Sequence, residues 1–146
     1  EVVGLHDLII HDYGPGRRML SLHAEVPADA DIMAVHDVID HIERELRDKF
    51  SVEAVIHMDP IVVGDEATDQ MRELVARRAK EIDSAITIHD FRMTSGPLHT
   101  NLIFDMVVPH SCKLTDEQVK EQIAAAMRQE DEHYFTVVEI DRSYVL

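Results

Sequence analysis

The chain has 146 residues, 45% of them hydrophobic and 29% charged, which suits one medium domain or two very small ones with a real core. Lys and Arg number 14 against 29 Asp and Glu, and the resulting formal charge of −15 repels phosphate backbones, so no nucleic-acid partner is expected. No apolar run approaches the roughly 20 residues of a membrane-crossing helix, and the single Cys112 excludes an internal disulfide framework or a CxxC site.

The chain opens EVVGLHDL, without an initiator Met, and reads as a piece of something longer. An alternating segment at 5–11 meets Gly14-Pro15, and a second at 18–26 stops at Pro27, which predicts two strands around a turn. Val35, Val38, Ile39, Ile42 and Leu46 then form a helical stripe, and a third strand is expected over 52–59. Gly64-Asp65 precedes a helix from about 66 to 82, with Ala67, Met71, Leu74, Val75 and Ile82 on one side. Strand signals return at 86–94 and 99–108 around Gly96-Pro97. Thr115 to Gln118 reads as a capping box, opening a helix with Val119, Ile123, Ala126 and Met127 on its stripe. A last strand is expected over 135–141.

The second half repeats the first. Gly14-Pro15, Val26-Pro27 and Asp59 recur 82 positions later as Gly96-Pro97, Val108-Pro109 and Asp141. His6-Asp7 recurs as His89-Asp90, one position out of that register, as a one-residue difference in the loop between the first two strands would produce. The reading is therefore α+β: an open α/β sandwich of ferredoxin-like, metallochaperone-like character, built from two tandem ββαβ repeats joined by a helix. The repeats are taken as 1–63 and 64–146, the second led by the joining helix. A matching helix for the first is expected upstream of Glu1. Sheets with one bare face are commonly covered by a partner, so a dimer is expected.

Ten histidines are the unusual figure, since imidazole is the commonest metal ligand. Side chains alternate across a strand. Leu20, Leu22, Ala24 and Val26 make a core face, so His23 and Glu25 point the other way. Ala54, Ile56 and Met58 likewise leave Val55, His57 and Asp59 opposite. Imidazoles gathered with a carboxylate suit Zn²⁺ and also Co²⁺, Ni²⁺, Mn²⁺ or Fe²⁺. The alternative is a set of solvated histidines on an acidic surface. His-Asp pairs at 6–7, 11–12, 36–37 and 89–90 invite a phosphohydrolase reading, but that chemistry needs a helical metal site and three of the four pairs fall in strands. No enzyme is expected.

GLHDL (Gly4–Leu8), SLHAEV (Ser21–Val26), VHDVIDHIE (Val35–Glu43) and VIHMDP (Val55–Pro60) together resemble the C-terminal cytoplasmic domain of the cation diffusion facilitator transporters. The resemblance covers about residues 1–62. It implies a homodimer on the cytoplasmic side of the cell membrane, attached to the transmembrane domain of the same full-length protein, a divalent metal/proton antiporter. It also implies a metal pair near the dimer interface held by His6, His23, His36, His57 and Asp59, with the Asp59 carboxylate able to bridge. A cation shared there would replace the repulsion of two acidic protomers and favour a closed dimer.

The second repeat is similar to an extra domain appended in some bacterial members. Its corresponding positions are His89, Asp105, Glu139 and Asp141, with His99 on the same parity and Glu117 or Gln118 where the first repeat has His36. That oxygen-rich set suits Mn²⁺, Fe²⁺ or Mg²⁺ better than Zn²⁺; the alternative is a site that has lost its ligands. Two other functions stay open for the whole chain: a soluble metal buffer or chaperone, and a small-molecule sensor with incidental histidines.

Overall fold

The computed structural model describes residues 2–62 and 64–143; the expected repeat limits at Glu1, Val63 and Leu146 lie outside the described residues. The chain divides into two compact units, Glu1–Ile61 and Val62–Leu146. Each carries its own three-stranded sheet, and with three helices among the described residues the fold is α+β with the ferredoxin-like βαβ pattern.

The first unit runs β1 (Gly4–Asp12), β2 (Arg18–Pro27), α1 (Ile32–Phe50) and β3 (Val52–Ile61). Its sheet order is β1-β2-β3, with β1 antiparallel and β3 parallel to β2. A parallel neighbour needs a crossover, and α1 is that crossover. The helix opens where the Asp31 carboxylate accepts from the Ala34 N–H at 2.8 Å and closes on Ser51, whose left-handed backbone turns its N–H to the Arg47 carbonyl. The Arg18 guanidinium donates to the Phe50 carbonyl and so satisfies a further group at that end. Val35 and Ile39 pack on Leu22, Ala24 and Val26, which fixes the core face of the sheet.

The second unit runs α2 (Glu66–Ile82), β4 (Thr87–Ser95), β5 (Thr100–Pro109), α3 (Asp116–Glu130) and β6 (Tyr134–Ser143), with sheet order β4-β5-β6. The expected capping box is formed by Thr115 and Gln118 at the start of α3. Of the expected α2 stripe, Val75 is buried and Met71, Leu74 and Ile82 pack half-buried against the same core; Ala67 alone of the stripe is exposed, and Thr68 and Ala79 are buried beside the others. Thr68, Val75, Ala79 and Ile82 stand at spacings of seven, four and three, a single helical face, and Ala67 is about 100° round from Thr68. Val75, Ala79, Leu102, Phe104, Met106, Ile123 and Met127 close the core from both sides.

The duplication is visible in the register. Both first strands carry a bulge directly after their histidine, where the pairs His6↔His23 and His89↔Asp105 give way to Ile9↔Ser21 and Arg92↔Ile103. At each bulge the aspartate adopts a left-handed backbone, Asp7 with φ 52° and Asp90 with φ 51°. The strands then close at Asp12↔Arg18 and Ser95↔Thr100, leaving loops 13–17 and 96–99. The second loop is shorter by one residue, which accounts for the shifted His-Asp pair. Among the described residues no helix is long and apolar enough to cross a membrane.

Candidate metal centre

In the first unit the sheet face opposite α1 gathers the side chains that parity assigned to it. β1, β2 and β3 bring His6, His23 and His57 into one row, with His6↔His23 and His23↔His57 as register partners. The rings follow at centroid distances of 4.9 Å and 4.7 Å. Asp59, buried two residues beyond His57, reaches back to all three. Its Oδ2 lies 3.0 Å from His6 Nε2 and 2.8 Å from His23 Nδ1, and its Oδ1 lies 3.3 Å from His57 Nε2. Ligand atoms of His6, His23 and Asp59 all fall within 4.8 Å of one another, close enough to share one ion.

The state of His6 is informative. Its Nδ1 stands 3.2 Å from the Asp7 carboxylate, within hydrogen-bonding reach, and its Nε2 faces Asp59. That arrangement, an imidazole held by a carboxylate at one nitrogen with the other turned to a site, is how metal-binding histidines are oriented. The side chain is only 8% exposed and Nε2 has no hydrogen-bond partner, although Asp59 Oδ2 is 3.0 Å away. An imidazole nitrogen and a carboxylate oxygen brought together in a buried place are donor types that divalent metals take, so the donor set fits a divalent metal. Asp7 is the residue in the bulge, and its left-handed backbone is what puts its carboxylate beside its own neighbour.

His36 is not brought into this group. It is exposed on α1, and α1 packs Val35 and Ile39 on the other face of the sheet. Glu25, which parity placed beside His23, is buried with Oε1 at 4.0 Å from His6 Nε2, but it is not in the group whose ligand atoms could meet one ion.

The second unit repeats the layout with other donors. His89 Nδ1 lies 3.1 Å from Asp90 and 3.8 Å from Asp105, and Nε2 lies 3.7 Å from Asp141. His89, Asp90 and Asp105 form the group whose ligand atoms could meet one ion. The His89 side chain is 43% exposed, so water reaches these groups as it does not reach His6. Glu139 is exposed, opposite Asp105 in the register, and is not part of that group. His99 lies in the turn before β5 with its ring edge-on to Phe135, six residues or about 20 Å along the strand from Asp105. Counted from the N-caps Asp31 and Thr115, the residue matching His36 is Lys120, not Glu117 or Gln118, because the connection before α3 is longer by two residues.

Residues 1–61 match the family model described as cation efflux protein, cytoplasmic domain. The match spans the whole first unit and ends where that unit ends, so the resemblance carried by the four motifs is shown there. No curated protein matches the chain significantly.

Proposed function

We propose that the first unit is the regulatory and dimerisation domain of a divalent cation efflux transporter, a metal/proton antiporter, and that it holds Zn²⁺ or a related cation on the cytoplasmic side of the membrane. The observation that carries this reading is the convergence of His6 Nε2, His23 Nδ1 and Asp59 Oδ2 within 4.8 Å, on the unit that matches the cation efflux cytoplasmic domain. His57 stands beside Asp59 and extends the donor set along the same face.

A homodimer is supported by two features. Ile9, Met19 and Val55 are exposed on the face that carries the histidines, giving an apolar stretch beside the polar cluster. His36, on the far side of its own sheet, reaches such a cluster only from a second protomer. In this account, the metal draws together two acidic chains that otherwise repel, and the closed dimer gains by the difference in metal affinity between closed and open forms. The transmembrane domain of the same full-length protein would sense that closure.

The half-exposed His89 group, with a single imidazole, supports reading the second unit as a copy that has lost most of its imidazole donors. The test of the proposal is sedimentation velocity of the full chain with and without Zn²⁺ at neutral pH. A metal-dependent, more compact dimer is expected. A sedimentation coefficient that ignores Zn²⁺ would defeat the coupling of metal to closure.

A further inference from the structure

One aspartate of the first unit stands against the site without belonging to its donor set. Asp7 follows His6 on β1, and strand alternation would send its side chain to the α1 side of the sheet. The bulge prevents that. Between the pairs His6↔His23 and Ile9↔Ser21, Asp7 and Leu8 together oppose the single Leu22. Asp7 takes a left-handed backbone there, with φ 52°, and its carboxylate comes within 3.2 Å of His6 Nδ1. The other nitrogen of that ring, Nε2, lies 3.0 Å from Asp59 Oδ2. The His6 side chain, 8% exposed, is thus spanned by two carboxylates, Asp7 at the surface and Asp59 buried.

The second unit repeats this local arrangement although its donors have changed. Asp105 stands where the first unit has His23, and Glu139 where it has His57. Asp90 nevertheless sits in the same bulge with φ 51°, and its carboxylate lies 3.1 Å from His89 Nδ1. Glycine takes a left-handed backbone without strain; aspartate tolerates it better than most residues but less well than glycine. Were the bend of the strand all that mattered, glycine would serve at both places. Both have aspartate, whose carboxylate then meets the preceding imidazole. The other two histidines of the row, His23 and His57, are followed by Ala24 and Met58 and have no such neighbour.

We propose that Asp7 is a positioning residue for the metal site of the first unit: its carboxylate holds the ring hydrogen of His6 on Nδ1 and so presents Nε2 to the cation. A carboxylate at the far nitrogen of a ligating imidazole fixes both the orientation of the ring and its tautomer. Asp7 itself stays outside the donor set of His6, His23 and Asp59. This inference rests on the metal-binding reading of the first unit.

Two variants of the full chain test it, with circular dichroism to show that each is folded. Asp7→Gly keeps the left-handed backbone and removes the side chain; Asp7→Asn keeps an acceptor oxygen and removes the charge. Long-range nitrogen–proton NMR of the imidazoles, on metal-free protein at about pH 8 where an ordinary imidazole is neutral, reads which nitrogen of His6 carries the hydrogen. The native chain is expected to hold it on Nδ1 and Asp7→Gly to give a mixture of both forms, with His23 unchanged and Asp7→Asn in between. Calorimetric titration with ZnCl₂ is expected to show at least a tenfold loss of affinity in Asp7→Gly and a smaller one in Asp7→Asn. A His6 signal in Asp7→Gly that matches the native chain would overturn the positioning role, whether or not affinity falls, since a loss without a change of ring form comes from charge alone. Native affinity in Asp7→Gly would overturn it as well. A native chain that takes up no Zn²⁺ would overturn the metal reading, and the ring signals would still decide whether Asp7 orients His6. Should Asp7→Gly fail to fold, Asp7→Asn decides by the same two readouts, a native-like result in either overturning the assignment.

Discussion

The two units of this chain share a sheet order, a bulge after the same His-Asp pair and a crossover helix, yet they spend their side chains differently. In the second unit α2 lies on β4, so Met93 is 7% exposed and Phe91 packs against Phe104 at a ring distance of 6.0 Å. At the equivalent places on β1, Ile10 is 58% exposed and Leu8 is exposed as well. The core positions follow suit: Phe104 and Met106 are fully buried where the first unit has the smaller Leu22 and Ala24. On the opposite face the contrast reverses. The first unit buries His6, Glu25 and Asp59 together, whereas the second leaves His89 and Asp141 in reach of water. One copy is closed around hydrocarbon; the other leaves apolar surface open and concentrates its buried charge in a site. The lesson is that a duplicated frame fixes where side chains stand but not whether they pack or bind.

That contrast can be broken most forcefully on the first strands. Met93→Glu places an unpaired charge in a closed core and is expected to cost about 3–5 kcal/mol. Ile10→Glu, at the same register position of the other unit, is expected to stay within about 0.5 kcal/mol in the isolated chain. Urea denaturation followed by circular dichroism compares the two, and equal losses would mean that β1 is covered after all. A gentler probe lies on the crossover helices. Ile123→Ala, at a position without solvent contact, is expected to lose about 2–5 kcal/mol, and Ile39→Ala, near the open edge of the smaller core, to fall toward the low end of that range.

The smallest effect concerns the turn into β6. The backbone N–H of His133, and then its imidazole, hold the Asp131 carboxyl below the usual carboxylate range. A carboxyl lowered in the folded state stabilises the fold above its unfolded pKa of about 3.9, and that contribution disappears as pH falls through the folded value. Asp131→Ala is therefore expected to lower the melting temperature at pH 7 and to make little difference near pH 2. A gap between the two proteins that persists undiminished at low pH would contradict this.

Much of the fold was legible because alternation and turn residues agree. Pro27 and Pro109 end the second strands, and the two Gly-Pro turns mark the hairpins. Parity alone placed His23, His57 and Asp59 on one face. Other features needed the third dimension. Glu25 lies on the polar side of an alternating strand, which reads as a solvated position; only its pairing with Gly4 and Asp59 buries it. Asp7 and Asp90 took no part in the expected donor sets, though the repeated His-Asp pair was the available signal: each is the left-handed residue of a bulge. His36 was recognisably off the apolar stripe of its helix, but periodicity does not say on which side of the sheet that helix lies. The misassigned counterpart of His36 has a simpler cause, since a connection longer by two residues shifts α3 against the strand register.

The central claim is that the first unit's histidines, and not the second's, take the cation. Imidazole ring resonances of the full chain, followed by two-dimensional NMR while Zn²⁺ is added, test it most directly. The expected result is that His6, His23 and His57 shift together over the first equivalent while His89 stays still. If His89 moves first, or if no ring responds, the assignment of the metal site to the first unit is contradicted.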